Sequence, residues 1–127
     1  MQEQHLFEYA VIRLVPRVER EEFLNTGVIV FCKRPPFLQT MIVVNEAKLL
    51  ALFPEADIAA IREHLEAFEA ISKGISTDSP IAALDIASRF RWLTAKRSTV
   101  VQTSAVHSGL CSNPEKTVQH LLEQLVL

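Results

Sequence analysis

Glycine is scarce in this 127-residue sequence, and so are cysteine, tryptophan, tyrosine and long apolar runs. Three Gly cannot build the glycine-rich loops that cradle phosphates in nucleotide-binding folds, and six Pro are too few for a collagenous or low-complexity chain. No apolar run approaches the roughly 20 residues that a membrane-spanning helix needs. The opening residues MQEQHLFEY lack the basic segment and apolar core of a secretion signal, so we expect a cytoplasmic protein with no membrane partner.

A large excess of charge of one sign is also absent. Thirteen Lys and Arg stand against fifteen Asp and Glu, so the net charge is -2 and a general affinity for nucleic acid is not expected. One Trp and one Tyr leave few platforms on which single-stranded bases can stack. The two cysteines, Cys32 and Cys111, form no CxxC pair, and no HxxxH pair occurs. We therefore expect reduced thiols, no metal site and no cofactor.

What the sequence does contain is a clear order of strands and helices. Runs of β-branched and aromatic residues predict four strands, at 7–15, 28–32, 38–44 and 98–106. Apolar residues at helical spacing predict four helices, at 45–53, 57–73, 79–92 and 113–127. The order βββ-ααα-β-α predicts an α+β fold: a single domain over residues 1–127, with a small, mostly antiparallel sheet of about four strands packed with helices.

Turn signals separate the predicted strands. Residues 25–27 place a glycine, which tolerates positive φ, before the second strand. Residues 33–36 contain two prolines, which cannot extend a ladder, and the short loop predicts an antiparallel hairpin of the second and third strands. We expect residues 107–111 to form a turn after the fourth strand.

The densest polar stretch runs over residues 88–108. Four basic residues lie within nine positions there, and guanidinium groups match the oxygens of phosphate or carboxylate in charge and geometry. The hydroxyl and amide side chains that follow add neutral donors, and Trp92 can stack on a base or an arginine. The candidate ligand-binding residues of this stretch are Arg89, Arg97, Ser98, Gln102 and Ser108. In the structural alternative, the arginines interact with the carboxyl end of their helix, and Trp92 fills core.

A second charged group begins at Arg13, which stands on an otherwise apolar strand. A buried arginine without a partner is costly, so Arg13 needs a carboxylate or an anion. Pairing of Arg13 or Arg89 with Glu21 or Glu22 is one solution. In the other, a pocket for a phosphorylated or carboxylated ligand is lined by Arg13, Asn25, Arg89 and Arg97, with Glu22, Trp92, Gly27 and Gly109 in support.

His107 is the candidate for catalysis, as a general base toward a neighbouring serine. Adjacent strand residues point to opposite faces and no G-x-S-x-G motif occurs, so His107 and Ser108 do not form a simple pair. If His107 opened into one cleft with Arg89 and Arg97, the site would suit a small hydrolase or nuclease-like phosphoesterase. A carboxylate such as Glu22 would then orient the imidazole. Whether the chain is an enzyme stays open at this point.

Two blocks, YAVIRLVPRVEREEFLNTGVIVF near the start and SRFRWLTAKRSTVVQTSAVHSGL near the end, resemble the signature blocks of a bacterial family, domain of unknown function 3037. The blocks and their spacing cover nearly the whole chain. The resemblance departs at Thr26, where Val is more frequent, and at Ala105, where Pro is more frequent. The site positions that the resemblance implies are Tyr9, Arg13, Pro16, Arg20, Glu22, Phe23, Asn25, Gly27, Arg89, Phe90, Trp92, Arg97, Ser98, Gln102, His107, Ser108 and Gly109.

The resemblance implies no established activity, but it does imply a partner, because members often lie beside the gene of a HipA-like serine/threonine kinase. We therefore expect an accessory or binding module, with a concavity lined by Arg, Ser and Thr that takes an anionic group. The alternative is the small hydrolase that uses His107 with Arg89 and Arg97. A third alternative is that the charges pair internally and the apolar C-terminal helix serves as a homodimer face.

Overall fold

The chain forms three strands, three helices, two short strands and a final helix, in that order. A computed structural model describes residues 3–75 and 79–127. The strands are β1 (His5–Leu14), β2 (Leu24–Cys32), β3 (Phe37–Ile42), β4 (Val101–Thr103) and β5 (His107–Cys111). The helices are α1 (Glu46–Leu52), α2 (Ile58–Lys73), α3 (Ile86–Leu93) and α4 (Pro114–Leu125), with 3₁₀ turns at Val18–Arg20 and Pro80–Ala83. In the described part of the chain no helix has the length and apolarity to cross a bilayer.

The strands form one antiparallel sheet in which β1 is internal. β2 pairs with one edge of β1, and β3 pairs with the far edge of β2, as the predicted hairpin requires. The other edge of β1 pairs with β4 along its carboxyl-terminal half and with β5 along its amino-terminal half. The predicted α+β class is confirmed, with five strands in the sheet.

Each face of the sheet has a core of its own. Ala10 and Ile12 of β1 pack against buried residues of α1, α2 and α3, and we call this side the three-helix face. Because side chains alternate along a strand, the odd-numbered residues of β1 point to the other side. There Phe7 and Cys32 pack against Val118 and its neighbours in α4, and we call this side the α4 face. The apolar side of α4 is therefore buried within the chain itself.

The longest helix, α2, begins and ends where its sequence predicts. The Asp57 side chain accepts a hydrogen bond from the backbone N–H of Ala60, which caps the first turn. Gly74 ends the helix in the left-handed conformation, with φ of 71°. Local chemistry alone accounts for both boundaries.

Residues 25–27 lie inside β2, where the sequence predicted a turn. The pairing of β2 with β1 shifts register there and passes over Thr26, which forms a β-bulge. Gly27 does not adopt a positive φ. A Cβ at Gly27 would lie 2.5 Å from the carbonyl oxygen of Met41, so glycine is needed because β3 approaches closely.

The helix predicted over 79–92 is divided into a 3₁₀ turn and α3. Ser79 accepts a hydrogen bond from the N–H of Ile81 and starts the turn as predicted. Leu84 and Asp85 are then extended, with ψ of 163° and 164°, and α3 begins after them. These two extended residues interrupt the helical conformation, so α3 is a separate helix, and the Asp85 side chain makes no capping hydrogen bond to it.

The strand predicted over 98–106 is shorter in the structure, where β4 covers Val101–Thr103 and β5 begins only at His107. Between them the N–H of Ser104 donates to the carbonyl of Val11, and the Ser104 hydroxyl accepts from the N–H of Val11 at 2.9 Å. The hydroxyl therefore takes the place of a backbone carbonyl in the ladder. Residues 107–111 continue as β5 and do not form the predicted turn.

Candidate anion-binding site

The two sequence blocks that carry the resemblance contribute neighbouring strands to the sheet. β1 comes from the first block, and both β4 and β5 come from the second. Arg13 lies where they meet, because it faces Asn25 of β2 on one side and Gln102 of β4 on the other. The fold thus places three of the predicted ligand-binding residues in one row across the sheet. We call these three residues the Arg13 cluster.

The side chains of the Arg13 cluster share the α4 face. Arg13 points there because its neighbour Ile12 packs in the three-helix core. Asn25 reaches the same side, since its amide contacts the end of α4. Val101 packs against the three-helix core, so Gln102 beside it points to the α4 face as well.

Arg13 is stacked on an aromatic ring but has no acidic partner. Its guanidinium carbon lies 4.1 Å from the centroid of the Phe23 ring, and Phe23 is 47% exposed. Within residues 3–75 and 79–127, Arg13 makes no salt bridge, and its Nε is buried without a hydrogen-bond partner. The positive charge of Arg13 is therefore not neutralised by any described carboxylate.

Asn25, which faces Arg13 across the strands, has an acceptor atom without a partner. Its Nδ2 donates to the backbone carbonyl of Leu125 at 3.1 Å, which defines how the amide is oriented. The Oδ1 atom of Asn25 is buried, and no described group donates to it. Gln102 is anchored through its Nε2, which donates to the carbonyl of Thr99 at 2.8 Å. No sequence signal points to Leu125, because any residue type offers the same backbone carbonyl.

His107 lies on the same face, opposite Tyr9, which is four residues before Arg13 on β1. It pairs with Tyr9 across the strands, and the centroids of the two rings are 5.4 Å apart. Ser108 pairs with Glu8 and therefore points to the three-helix face, away from His107. The sequence argument that these neighbours point apart agrees with this geometry.

The predicted pocket of four residues is not formed, because Arg89 and Arg97 lie on the three-helix face. Both belong to α3 or the segment after it, and α3 packs on that face through Phe90 and Leu93. Arg89 donates to the carbonyl of Leu84 at 2.8 Å, and its buried Nε has no partner among the described residues. The sheet therefore separates these two arginines from the Arg13 cluster.

Arg97 and Trp92 form a pair of their own on the three-helix face. The guanidinium carbon of Arg97 lies 4.4 Å from the centroid of the Trp92 ring, and the guanidinium donates to the Trp92 carbonyl. Trp92 is exposed and does not fill the core. Ser98 follows in an exposed loop before β4.

The carboxylates proposed to neutralise Arg13 or Arg89 are engaged elsewhere or do not reach them. Glu22 pairs with Arg20, and no described salt bridge joins Glu21 to either arginine. Arg91 is paired with Glu8 through two hydrogen bonds of 2.8 Å. The hydrogen bonds from the Arg91 guanidinium hold the pKa of the Glu8 carboxyl below its usual range.

Gly109 and the two cysteines belong to the packing of the α4 face. A Cβ at Gly109 would lie 2.9 Å from the ring of Phe7, so the glycine makes room for that ring on the α4 face. Cys32 and Cys111 are free buried thiols in the α4-face core, and burial raises the pKa of the Cys32 thiol. In the part of the chain that the structure describes, no three His, Cys, Asp or Glu side chains are grouped as metal ligands.

Comparison with known proteins identifies a family but no close relative. No curated protein matches the chain, and no solved structure matches it either. The family model described as Protein of unknown function (DUF3037) matches residues 9–126, which include Arg13, Asn25 and Gln102. The chain therefore belongs to the DUF3037 family.

Proposed function

We propose that this protein is a binding module that takes an anionic group, a phosphate or a carboxylate, at the Arg13 cluster. The observation that carries the proposal is the pair of buried, unpartnered atoms on facing residues, Nε of Arg13 and Oδ1 of Asn25. A buried polar atom without a partner costs about 1–3 kcal/mol. A ligand that displaced the groups covering these atoms and bonded to both would recover that cost.

The chemistry of the two atoms narrows the ligand. Arg13 offers a charged donor, which favours a negatively charged oxygen. Asn25 offers an acceptor, which needs a ligand O–H or N–H. A group that carries both functions fits best, such as hydrogen phosphate or a carboxylate with a neighbouring hydroxyl. Gln102 on the other side of Arg13 adds a polar contact at the same level of the sheet.

Binding is favoured over the hydrolase alternative by the position of His107. That alternative needs His107 in one cleft with Arg89 and Arg97, and with a carboxylate such as Glu22 beside it. The His107 ring instead lies against the Tyr9 ring on the α4 face, while both arginines lie on the three-helix face. Glu22 is paired with Arg20.

We also propose that a protein partner presents the anionic group, and the HipA-like kinase implied by the family resemblance is the first partner to test. The exposed ring of Phe23 supports this, because it lies directly against the Arg13 guanidinium. Aromatic surface next to an arginine is typical of protein interfaces. A free small anion would gain little from this ring.

The test is a titration of the wild-type protein with phosphate, sulfate, phosphoserine and glycerate near pH 6. Calorimetry measures the affinity, and amide chemical shifts locate the binding site. We expect phosphate to perturb β1, β2, β4 and the end of α4, and to bind more tightly than sulfate, which has no proton to donate to Asn25. Arg13→Gln should weaken binding by about tenfold to a hundredfold, the loss expected for one charged hydrogen bond. The matched control is Arg17→Gln, since Arg17 is exposed and paired with Glu19.

The proposal is overturned if the wild type binds none of these anions, or if Arg13→Gln binds them as well as Arg17→Gln does. Asn25→Leu tests the acceptor separately. This variant should lose the preference for phosphate over sulfate. The purified kinase is then titrated against the same variants, and equal affinity for wild type and Arg13→Gln would contradict its proposed role.

A further inference from the structure

A long groove on the three-helix face runs beside α2. One cavity of about 460 Å³ lies between α2 and residues 97–101, and a second of about 230 Å³ lies near the start of the helix. Both cavities are lined by His64 and Val100, so they are neighbours along α2, and together we call them the groove. The α2 residues that line it recur at helical spacing and form one stripe: Asp57, Ala60, Ile61, His64, Ala67, Phe68 and Ile71.

The floor of the groove is apolar. Phe68 and Leu93 belong to the three-helix core, and Val100 and Val101 pack against that core from the side. Trp92 stands at the rim, where it is 39% exposed and carries Arg97 on its ring. An apolar floor with a few polar groups at the rim is the usual composition of a binding groove.

The two ends of the groove carry opposite charge. Arg97 lines the cavity that contains Ile71, toward the end of α2, and makes no described salt bridge. Glu55 and Asp57 line the other cavity, at the start of α2. Arg17 and Arg20 lie beyond Glu55, and each is paired with a glutamate of its own turn, so this end stays acidic.

We propose that the groove binds an extended apolar peptide segment of a partner protein, with an acidic residue against Arg97 and a basic residue against Glu55 and Asp57. The stripe spans 14 residue steps, which is roughly 21 Å of helix. An extended peptide covers that length in about six residues. The charge pattern of the groove fits such a segment in one orientation only.

This surface is independent of the Arg13 cluster. The sheet lies between them, and none of the three cluster residues lines the groove, although Thr99 of the groove accepts a hydrogen bond from Gln102. The proposal also gives a role to Trp92 and Arg97. The sequence placed both in one pocket with Arg13, but they lie on the three-helix face. Their role here is to close one end of a peptide groove.

The test uses a displayed library of random heptapeptides selected on the whole protein. We expect enriched sequences to have apolar residues in the middle, an acidic residue at one end and a basic residue at the other. A synthetic copy of an enriched peptide should change the fluorescence of Trp92, which is the single tryptophan of the chain. Ala67→Glu places a charge in the groove and should weaken peptide binding by at least about tenfold, because the charge must be desolvated.

Ala59→Glu is the matched control, since Ala59 is an exposed residue of α2 outside the groove. Its affinity for the peptide should equal that of the wild type, as should the affinity of Arg13→Gln. Arg97→Glu should prefer a peptide in which Lys replaces the acidic end residue. The proposal is overturned if no peptide is enriched on wild type over Ala67→Glu, or if Ala67→Glu and Ala59→Glu bind the synthetic peptide equally.

Discussion

At the residue scale, the ion pairs of this protein differ in their exposure to water. Both side chains of the Arg62–Glu46 pair are about half exposed, at 49% and 50%. Solvent screens such pairs, and they add little to stability. Glu8 is 26% exposed and receives two hydrogen bonds from Arg91, so its protonation should affect folding more.

We therefore expect Glu8 to contribute to acid unfolding. Its pKa is lowered in the folded state by Arg91, so its stabilising effect is complete above the unfolded-state pKa and is lost as pH falls through the folded-state pKa. Below about pH 4.3, the usual glutamate value, the free energy of unfolding of the wild type should fall more steeply than that of Glu8→Gln. Urea unfolding at several pH values measures both slopes. Identical slopes for wild type and Glu8→Gln would contradict this role.

At the scale of elements, β4 and β5 are separated by a short segment that begins at Ser104. Ser104 is buried, and its hydroxyl is the acceptor for the N–H of Val11 on the internal strand β1. The chain can then leave the ladder at exposed Ala105 and Val106 and return as β5 without an unpaired group at Val11. The interruption depends on a side chain that can act as a backbone acceptor.

Ser104→Ala should leave the N–H of Val11 buried and unpaired. The expected cost is about 1–3 kcal/mol in the free energy of unfolding. Urea denaturation followed by circular dichroism measures it, and Ser98→Ala, at an exposed loop serine, is the control with no expected change. A Ser104→Ala protein as stable as Ser98→Ala would show that the hydroxyl is not needed for the interruption.

At the scale of the whole molecule, the two cores are coupled through the sheet that they share. The α4-face core contains both cysteines, which are buried and unbonded. Burial disfavours the thiolate, and it raises the pKa of Cys32. A disulfide reagent, which reacts with thiolates, can therefore reach these groups only when this core opens.

We expect both thiols to react slowly with a disulfide reagent in the native protein. The rate should rise with urea along the same curve as global unfolding, because α4 and the sheet must separate first. Ser112→Cys, at an exposed position before α4, supplies a thiol that should react at once. Fast labelling of the wild type without urea would mean that α4 detaches independently of the rest of the fold.

Much of the fold could be predicted from local pattern. The hairpin of β2 and β3, the boundaries of α2 and the start of α4 after Asn113 all follow from side chains close in sequence. The break in the helix predicted over 79–92, the short length of β4 and the presence of β5 were missed, because apolar spacing alone does not show where Asp85 or Ser104 interrupts a pattern.

The candidate site was predicted in part. Arg13 could be identified as a charge that needs a partner, since it stands among apolar residues of a strand. Its row with Asn25 and Gln102 depends on strand pairing, and Phe23 reaches it from the turn before β2. The separation of Arg97 from this row depends on the side of the sheet to which α3 returns.

The amino-acid order by itself determined which side chains alternate along a strand, which residues cap a helix and which residues end one. Those effects act between neighbours a few positions apart. The folded chain alone decided which face each alternating set meets, since that choice is made by the burial of α3 on one side and α4 on the other. Arg13 and Arg97 carry the same charge, and they meet different surroundings because the two helices cover opposite faces of one sheet.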